Sequence, residues 1–238
     1  MKRFWNWTEP EPEAEESAPR VLTLNGTIAE ESWLDDDVTP EAFRAELLSG
    51  DGDVVVMINS PGGDCVAASQ IYTMLTDYSG KVTVKIDGLA ASAASVIAMA
   101  GDVVQMAPTA LMMIHNPATV AFGDHVDMEK AIAMLDEVKE SIINAYALKT
   151  NLSRAKLSRM MENETWMNAK KAMELGFADE MVGEKVLEGY FDTEAYAFSA
   201  SAIARDFTNK IAKKATQPQG AKVSDLLVDL YDRRFGKC

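Results

Sequence analysis

Val54-Val55-Val56-Met57-Ile58-Asn59-Ser60-Pro61-Gly62-Gly63 is the stretch on which the fold turns. Five successive apolar residues suit a strand covered on both faces, the habit of parallel sheets. Pro61-Gly62-Gly63 ends that strand, and Ala67 to Tyr78 reads as a helix. Val82, Val84 and Ile86 then alternate with Thr83, Lys85 and Asp87, a second strand ending at Gly88. Ala90 to Ala100 predicts a helix of small residues closed by Gly101, and Val103 to Met106 and Leu111 to Ile114 predict two short strands. After Gly123-Asp124, the residues Met128, Ile132, Leu135, Val138, Ile142 and Tyr146 recur at spacings of three and four, which predicts one long helix. Two short helices follow over residues 153–175, with Ser153 as a cap, and a last strand near Phe177 to Val182. Upstream, Val21-Leu22-Thr23-Leu24 reads as a strand that ends in the turn pair Asn25-Gly26. Strands alternating with helices in this way imply an α/β layer with parallel strands.

The flanks differ in kind. Residues 8–19 carry five Glu and three Pro without a large apolar side chain. Such a segment cannot bury enough surface to offset its ordering entropy, so residues 1–20 read as a flexible acidic arm. A folded domain is expected over 21–185, and from 186 the strand–helix alternation is lost. Residues 200–238 hold eight Lys+Arg and four Asp+Glu, a basic extension whose end, from Ser224, has the pattern of an amphipathic helix. The formal charge of −14 is therefore an average of −18 before residue 200 and +4 after it. That acidity argues against a nucleic-acid partner, whose phosphates it would repel. Two cysteines and two histidines are too few for a disulfide framework or an ordinary zinc cluster. No apolar leader is present, and the near-apolar run Gly88 to Gly101 is too short to span a bilayer, so a cytoplasmic protein without a membrane partner is expected.

Three segments lie just after predicted strands, where open α/β sheets place their sites. In Asn59-Ser60-Pro61-Gly62-Gly63, two glycines let the backbone turn sharply and leave N–H groups for a developing negative charge, although a plain tight turn uses the same residues. In Gly88-Leu89-Ala90-Ala91-Ser92-Ala93-Ala94, small neighbours would leave a serine hydroxyl accessible at a strand-to-helix junction. The alternative is a packed Ala/Ser helix in which Ser92 and Ser95 bond back to the backbone. The third segment, Met113-Ile114-His115-Asn116-Pro117, supplies a histidine, the usual base for a serine nucleophile. His125, in the acidic Gly123-Asp124-His125-Val126-Asp127, reads as a solvated surface residue.

Taken in order and spacing, Ile58 to Gly63, Gly88 to Ser92 and Met113 to Pro117 closely resemble the ClpP-type serine peptidases. Trp166-Met167-Asn168-Ala169 and Leu175-Gly176-Phe177-Ala178-Asp179 continue the resemblance, which covers about residues 21–184. The acidic arm, the basic extension and Phe4-Trp5-Asn6-Trp7 look most like the ClpP-related head maturation proteases of phages and prophages. The resemblance implies a ClpP/crotonase-like α/β fold of stacked βα units with a long protruding helix. It also implies Ser92 as nucleophile, His115 as general base, and oxyanion donors at the backbone of Gly62 or Gly63 and of Ala93. The family's third member is an aspartate, and Glu164 stands in its place here; Glu162 and Asp179 are the other acids in reach. No metal or cofactor is required. The implied partners are protein substrates such as capsid, scaffold or portal proteins, further copies of the chain in a ring, and a Clp ATPase. The implied location is the host cytoplasm or the inside of a procapsid. Two rivals accompany this reading: a crotonase-type enzyme using the same paired N–H groups on a thioester enolate, and an inactive ring-forming assembly protein suggested by the glutamate.

Overall fold

The computed structural model describes Trp7–Thr8, residues 19–30 and residues 37–182. The chain groups into two units, Met1–Tyr190 and Phe191–Cys238, and every described residue lies in the first. The expected basic extension over 186–238 with its amphipathic helix, and all of the acidic arm except Trp7, Thr8, Pro19 and Arg20, lie outside the described residues.

In chain order the elements are β1 (Trp7–Thr8), β2 (Arg20–Ile28), α1 (Pro40–Leu47), β3 (Val54–Gly63), α2 (Cys65–Thr76), β4 (Val82–Ala91) and α3 (Ala93–Ala98). Then come β5 (Val103–Met106), β6 (Leu111–Ile114), α4 (His125–Thr150), α5 (Arg154–Glu162), β7 (Thr165–Asn168), α6 (Ala169–Leu175) and β8 (Glu180–Met181). One sheet runs β1-β2-β3-β4-β5-β8, with β6 attached to β4 and β7 to β6. The pairs from β2 to β3, β3 to β4, β4 to β5, β4 to β6 and β5 to β8 are parallel. This is the α/β architecture that the alternation of apolar runs and amphipathic stretches implies.

The central strands bury one face completely and the other mostly in part, with Val55, Met57, Thr83 and Asp87 half-buried. The apolar run over Val54 to Ile58 is therefore not fully enclosed on both sides. Val54, Val56, Ile58, Val82, Val84 and Ile86 are almost wholly enclosed, packed with Ile71 and Leu75 of α2 and Ile97 of α3 in one core. Helix starts follow capping chemistry. Thr39 accepts from Ala42 N–H ahead of Pro40, Asp64 accepts from Val66 and Ala67 N–H, and Asp124 with Asp127 forms a capping box at α4.

The structure departs from the sequence expectations at three places that matter for the site. First, Pro61-Gly62-Gly63 does not end the strand; β3 continues through Gly63 with a register shift between Ile58 and Ser60. Second, Ala90 and Ala91 are strand rather than helix. The first half of β4 pairs with β5 through Thr83 to Ile86, and its second half pairs with β6 through Leu89 to Ala91. This pairing overrides the helical preference of alanine, and α3 starts only at Ala93. Third, the segment between α5 and α6 contains β7, antiparallel to β6, with Ile114 opposite Thr165 and Met113 opposite Trp166.

Only the C-terminal half of α4 is anchored. Ile142, Ile143, Ala145 and Tyr146 are buried, whereas Val126, Ile132 and Met134 are exposed. The N-terminal half therefore stands clear of this subunit's core as a protruding helix.

Candidate active site

The three strands β4, β6 and β7 lie side by side, and each delivers one candidate residue beyond its last ladder pair. Ala91 pairs with Met113, so Ser92 continues β4 while His115 continues β6. The Ser92 N–H donates to Met113 O at 2.9 Å, which ties the serine to the strand that carries the histidine. Ile114 pairs with Thr165, which puts Glu164 alongside His115 across the antiparallel β6–β7 edge. Register alone thus assembles residues that are 23 and 49 positions apart in the sequence.

Ser92 has φ 53° and ψ −124°, a conformation that costs a non-glycine residue about 1–3 kcal/mol and persists only when its surroundings enforce it. As N-cap of α3 its side chain makes no capping hydrogen bond. Instead Oγ lies 2.7 Å from His115 Nε2. Ala93, the next residue, opens α3, so its N–H has no partner within the helix.

Gly62 presses on this junction. It has φ +93°, and a Cβ there would fall 2.6 Å from Ala91 O and 2.8 Å from Ser92 Cβ. Gly63 is equally constrained from the other side, where a Cβ would meet Ile28 O at 2.0 Å. Both glycines are required by close approach as well as by dihedral angle. Ser60, fully buried, holds the turn: its Oγ donates to Gly26 O at 2.5 Å and accepts from Gly62 N–H at 3.1 Å.

Burial lowers the pKa of His115 below the usual 6.5, and the negative charge of Glu164 opposes that shift in part. A neutral imidazole facing a serine hydroxyl is the protonation state a general base needs. Glu164 itself sits at φ 46° and accepts the Trp166 Nε1–H at 3.2 Å; among the described residues it makes no hydrogen bond to His115. The other two acids are engaged elsewhere. Glu162 accepts from Lys139 at 2.8 Å and Ser158 at 3.0 Å, and Asp179 accepts from Lys149 at 2.8 Å and the Val104 N–H at 2.7 Å.

His125 is 84% exposed beside Glu129 and takes no part. Cys65, at the start of α2, has its thiol pushed up to about 11 by burial and by Asp64, so it is protonated at neutral pH and a poor nucleophile. Sequence reasoning missed Ser60 as the clamp on the glycine turn and Tyr146 as a neighbour of Ser95, whose hydroxyls stand 2.8 Å apart. The only sequence signal was their type: a serine before Pro-Gly-Gly, and a hydroxyl-bearing residue on an otherwise apolar helix stripe.

A serine hydroxyl on a strained strand-to-helix junction, a neutral histidine on it and the Ala93 N–H left without a helical partner form an arrangement capable of acyl transfer. The sequence pattern of the family described as Clp protease matches residues 18–185, and the chain belongs to that family. Among its relatives, an ATP-dependent Clp protease proteolytic subunit of Bacteroides fragilis is 32% identical over 157 residues, covering 63% of this chain and 76% of the relative. The ATP-dependent Clp protease proteolytic subunit 1 of Chlamydia muridarum is 32% identical over 138 residues, covering 56% and 72%. A proteolytic subunit of Sorghum bicolor is 29% identical over 155 residues, covering 64% and 71%. No helix among the described residues is long and apolar enough to cross a membrane.

Proposed function

We propose that the protein is a serine endopeptidase with Ser92 as nucleophile and His115 as general base. The observation that carries this reading is the 2.7 Å approach of His115 Nε2 to Ser92 Oγ at a strained junction. His115 takes the hydroxyl proton as Oγ bonds to a peptide carbonyl carbon, and the carbonyl electrons move onto its oxygen. The resulting oxyanion is held by the Ala93 N–H and by the glycine turn. Its collapse breaks the C–N bond, and His115 returns the proton to the leaving amine. Water, deprotonated by the same histidine, then releases the acyl group.

Of the two glycines, Gly63 is the better oxyanion donor, because the Gly62 N–H is already given to Ser60 Oγ. The Asp64 N–H is given to Ile28 O on β2, and because β3 lies between β2 and β4 we take the Gly63 N–H to point to the β4 side, where Ser92 lies. Glu164 acts through its charge, stabilising the imidazolium that forms on His115. The crotonase-type rival gains nothing from a serine and a histidine in hydrogen-bond contact.

The substrates we infer are capsid, scaffold or portal proteins processed during phage head maturation, with the chain assembled in a ring. The acidic residues 8–16 and the net +4 of residues 200–238, which lie outside the matched 18–185, support that role. The exposed Val126, Ile132 and Met134, which project from different sides of α4, supply apolar side chains for contact between subunits. A second reading, a degradative subunit served by a Clp ATPase, is favoured by the relatives, which are named as subunits of ATP-dependent proteases.

The test is co-expression with candidate head proteins, followed by mass spectrometry of the products, using wild type and Ser92→Ala. Truncation that depends on Ser92 supports the reading. Equal processing by Ser92→Ala refutes the peptidase assignment, and cleavage that appears only with an ATPase and ATP selects the second reading.

A further inference from the structure

We infer that the hydroxyls of Tyr146 and Ser95 form a positioning device that locks the peptide plane between Ser92 and Ala93 and thereby aims the Ala93 N–H at the oxyanion. The inference rests on the proposed role of Ser92 and deepens it.

The geometry is a short relay. Ser95 Oγ donates to Ser92 O at 2.5 Å, and the Ser95 N–H reaches the same oxygen at 3.0 Å. The Ser95 hydroxyl has a single proton and gives it to that carbonyl, so the 2.8 Å contact with Tyr146 Oη has tyrosine as donor. The direction is Tyr146 to Ser95 to Ser92 O. Chains of this kind polarise one another in a low-dielectric interior, and this one is dry: Ser95 is 0% and Tyr146 1% exposed. Burial also raises the phenol pKa, which keeps Tyr146 protonated and able to donate.

The consequence at the site follows from peptide planarity. The Ser92 carbonyl and the Ala93 N–H belong to one rigid unit and point in opposite directions across it. Holding the carbonyl oxygen on the α3 side therefore holds the N–H on the side of Ser92 Oγ. Since ψ of Ser92 is −124°, an unusual value beside a positive φ, this plane is not set by local preference and needs an external hold. Tyr146 is a firm anchor for that hold. Its ring meets Phe177 edge-on at 5.5 Å, and its backbone oxygen accepts from Thr150 Oγ1 at 2.7 Å. The relay thus connects the anchored half of α4 to the reacting centre.

The test compares wild type with Ser95→Ala, Tyr146→Phe and the double variant in the full chain, with Ser92→Ala as reference. Three readouts are taken: kcat and KM on a small fluorogenic peptide, the second-order rate of labelling by a fluorophosphonate, and the thermal midpoint. A positioning role predicts that Ser95→Ala lowers kcat and the labelling rate together by about tenfold, less than the 10²–10³ for outright loss of an oxyanion donor. KM stays within twofold, and the acid limb of the pH profile stays in place because His115 is untouched. Tyr146→Phe lowers both rates about threefold, and the double variant is no worse than Ser95→Ala because tyrosine acts through serine. Should Ser95→Ala fail to fold, Tyr146→Phe, which loses one oxygen atom, carries the test alone. Labelling and kcat within twofold of wild type in a folded variant overturn the device, as does a loss confined to KM or explained by a lowered thermal midpoint. If instead Ser92→Ala is still labelled and active, the nucleophile assignment fails and the device fails with it.

Discussion

At the residue scale, the site is governed by what burial does to an imidazole and what a methyl group does to a crowded turn. Desolvation lowers His115 below 6.5, and Glu164 pulls it partly back. With His115 as the proposed base, working when neutral, activity is expected to be lost as pH falls through this lowered value, so that the acid limb of kcat/KM has its midpoint below 6.5. Glu164→Gln removes the charge that favours the imidazolium, which moves the limb to still lower pH. Because no hydrogen bond joins Glu164 to His115, the accompanying loss in kcat is about tenfold, against about 10⁴ for an acid bonded directly to the ring. A pH–rate profile of the two proteins checks both the direction and the size. Gly62→Ala is a harsher change. Its Cβ would meet Ala91 O at 2.6 Å, and displacing Ser92 by even 1 Å costs about 100-fold in activity. Peptide hydrolysis by the folded variant measures this directly.

At the scale of elements, α4 is two helices in one. Its C-terminal half belongs to the core, where Ile143 is fully buried; its N-terminal half carries Ile132 at 59% exposure. Ile143→Ala leaves a cavity and destabilises the fold by about 2–5 kcal/mol, measurable by denaturant titration. Ile132→Asp leaves the stability of the subunit within about 0.5 kcal/mol. Its effect falls on assembly, where sedimentation should show smaller particles; an unchanged particle size would remove the exposed face of α4 from the interface. The β6–β7 edge has a comparable division of labour. Met112 and Met167 face each other in the core while Ile114 and Thr165 end the ladder next to the site.

Across the whole molecule, the matched family pattern and every candidate site residue lie within residues 18–185. The basic extension after residue 200 is therefore expected to be separable from the chemistry, and its +4 charge would suit engagement of an acidic surface. Chain ending at residue 190 is expected to hydrolyse small peptides within twofold of the full chain while processing large protein substrates more slowly. Loss of small-peptide hydrolysis in the folded truncation would show that the extension completes the site.

Much of this was legible in one dimension. Hydrophobic period and capping residues set the identity of β3, the body of α2, the strands β5 and β6, and the long α4, because these depend on burial of neighbouring side chains and on local backbone donors. The residue types of the site were legible as well: a serine among alanines, one histidine at a strand end, two glycines after a buried strand. The helix α1 was overlooked although Thr39-Pro40-Glu41 announces it through cap and first-turn chemistry. What the chain order does not contain is pairing. Ala90 and Ala91 became strand, and Thr165 to Asn168 became β7, only because β6 offered both an edge to hydrogen-bond. The strained Ser92, the commitment of Gly62 N–H to Ser60, and the link from Tyr146 through Ser95 join groups 2 to 51 positions apart. Hydrogen bonds and steric contacts act across space with no regard to sequence distance, so residue types and periods set the elements and the chemistry on offer, while the tertiary structure alone decided which groups meet and at what angle.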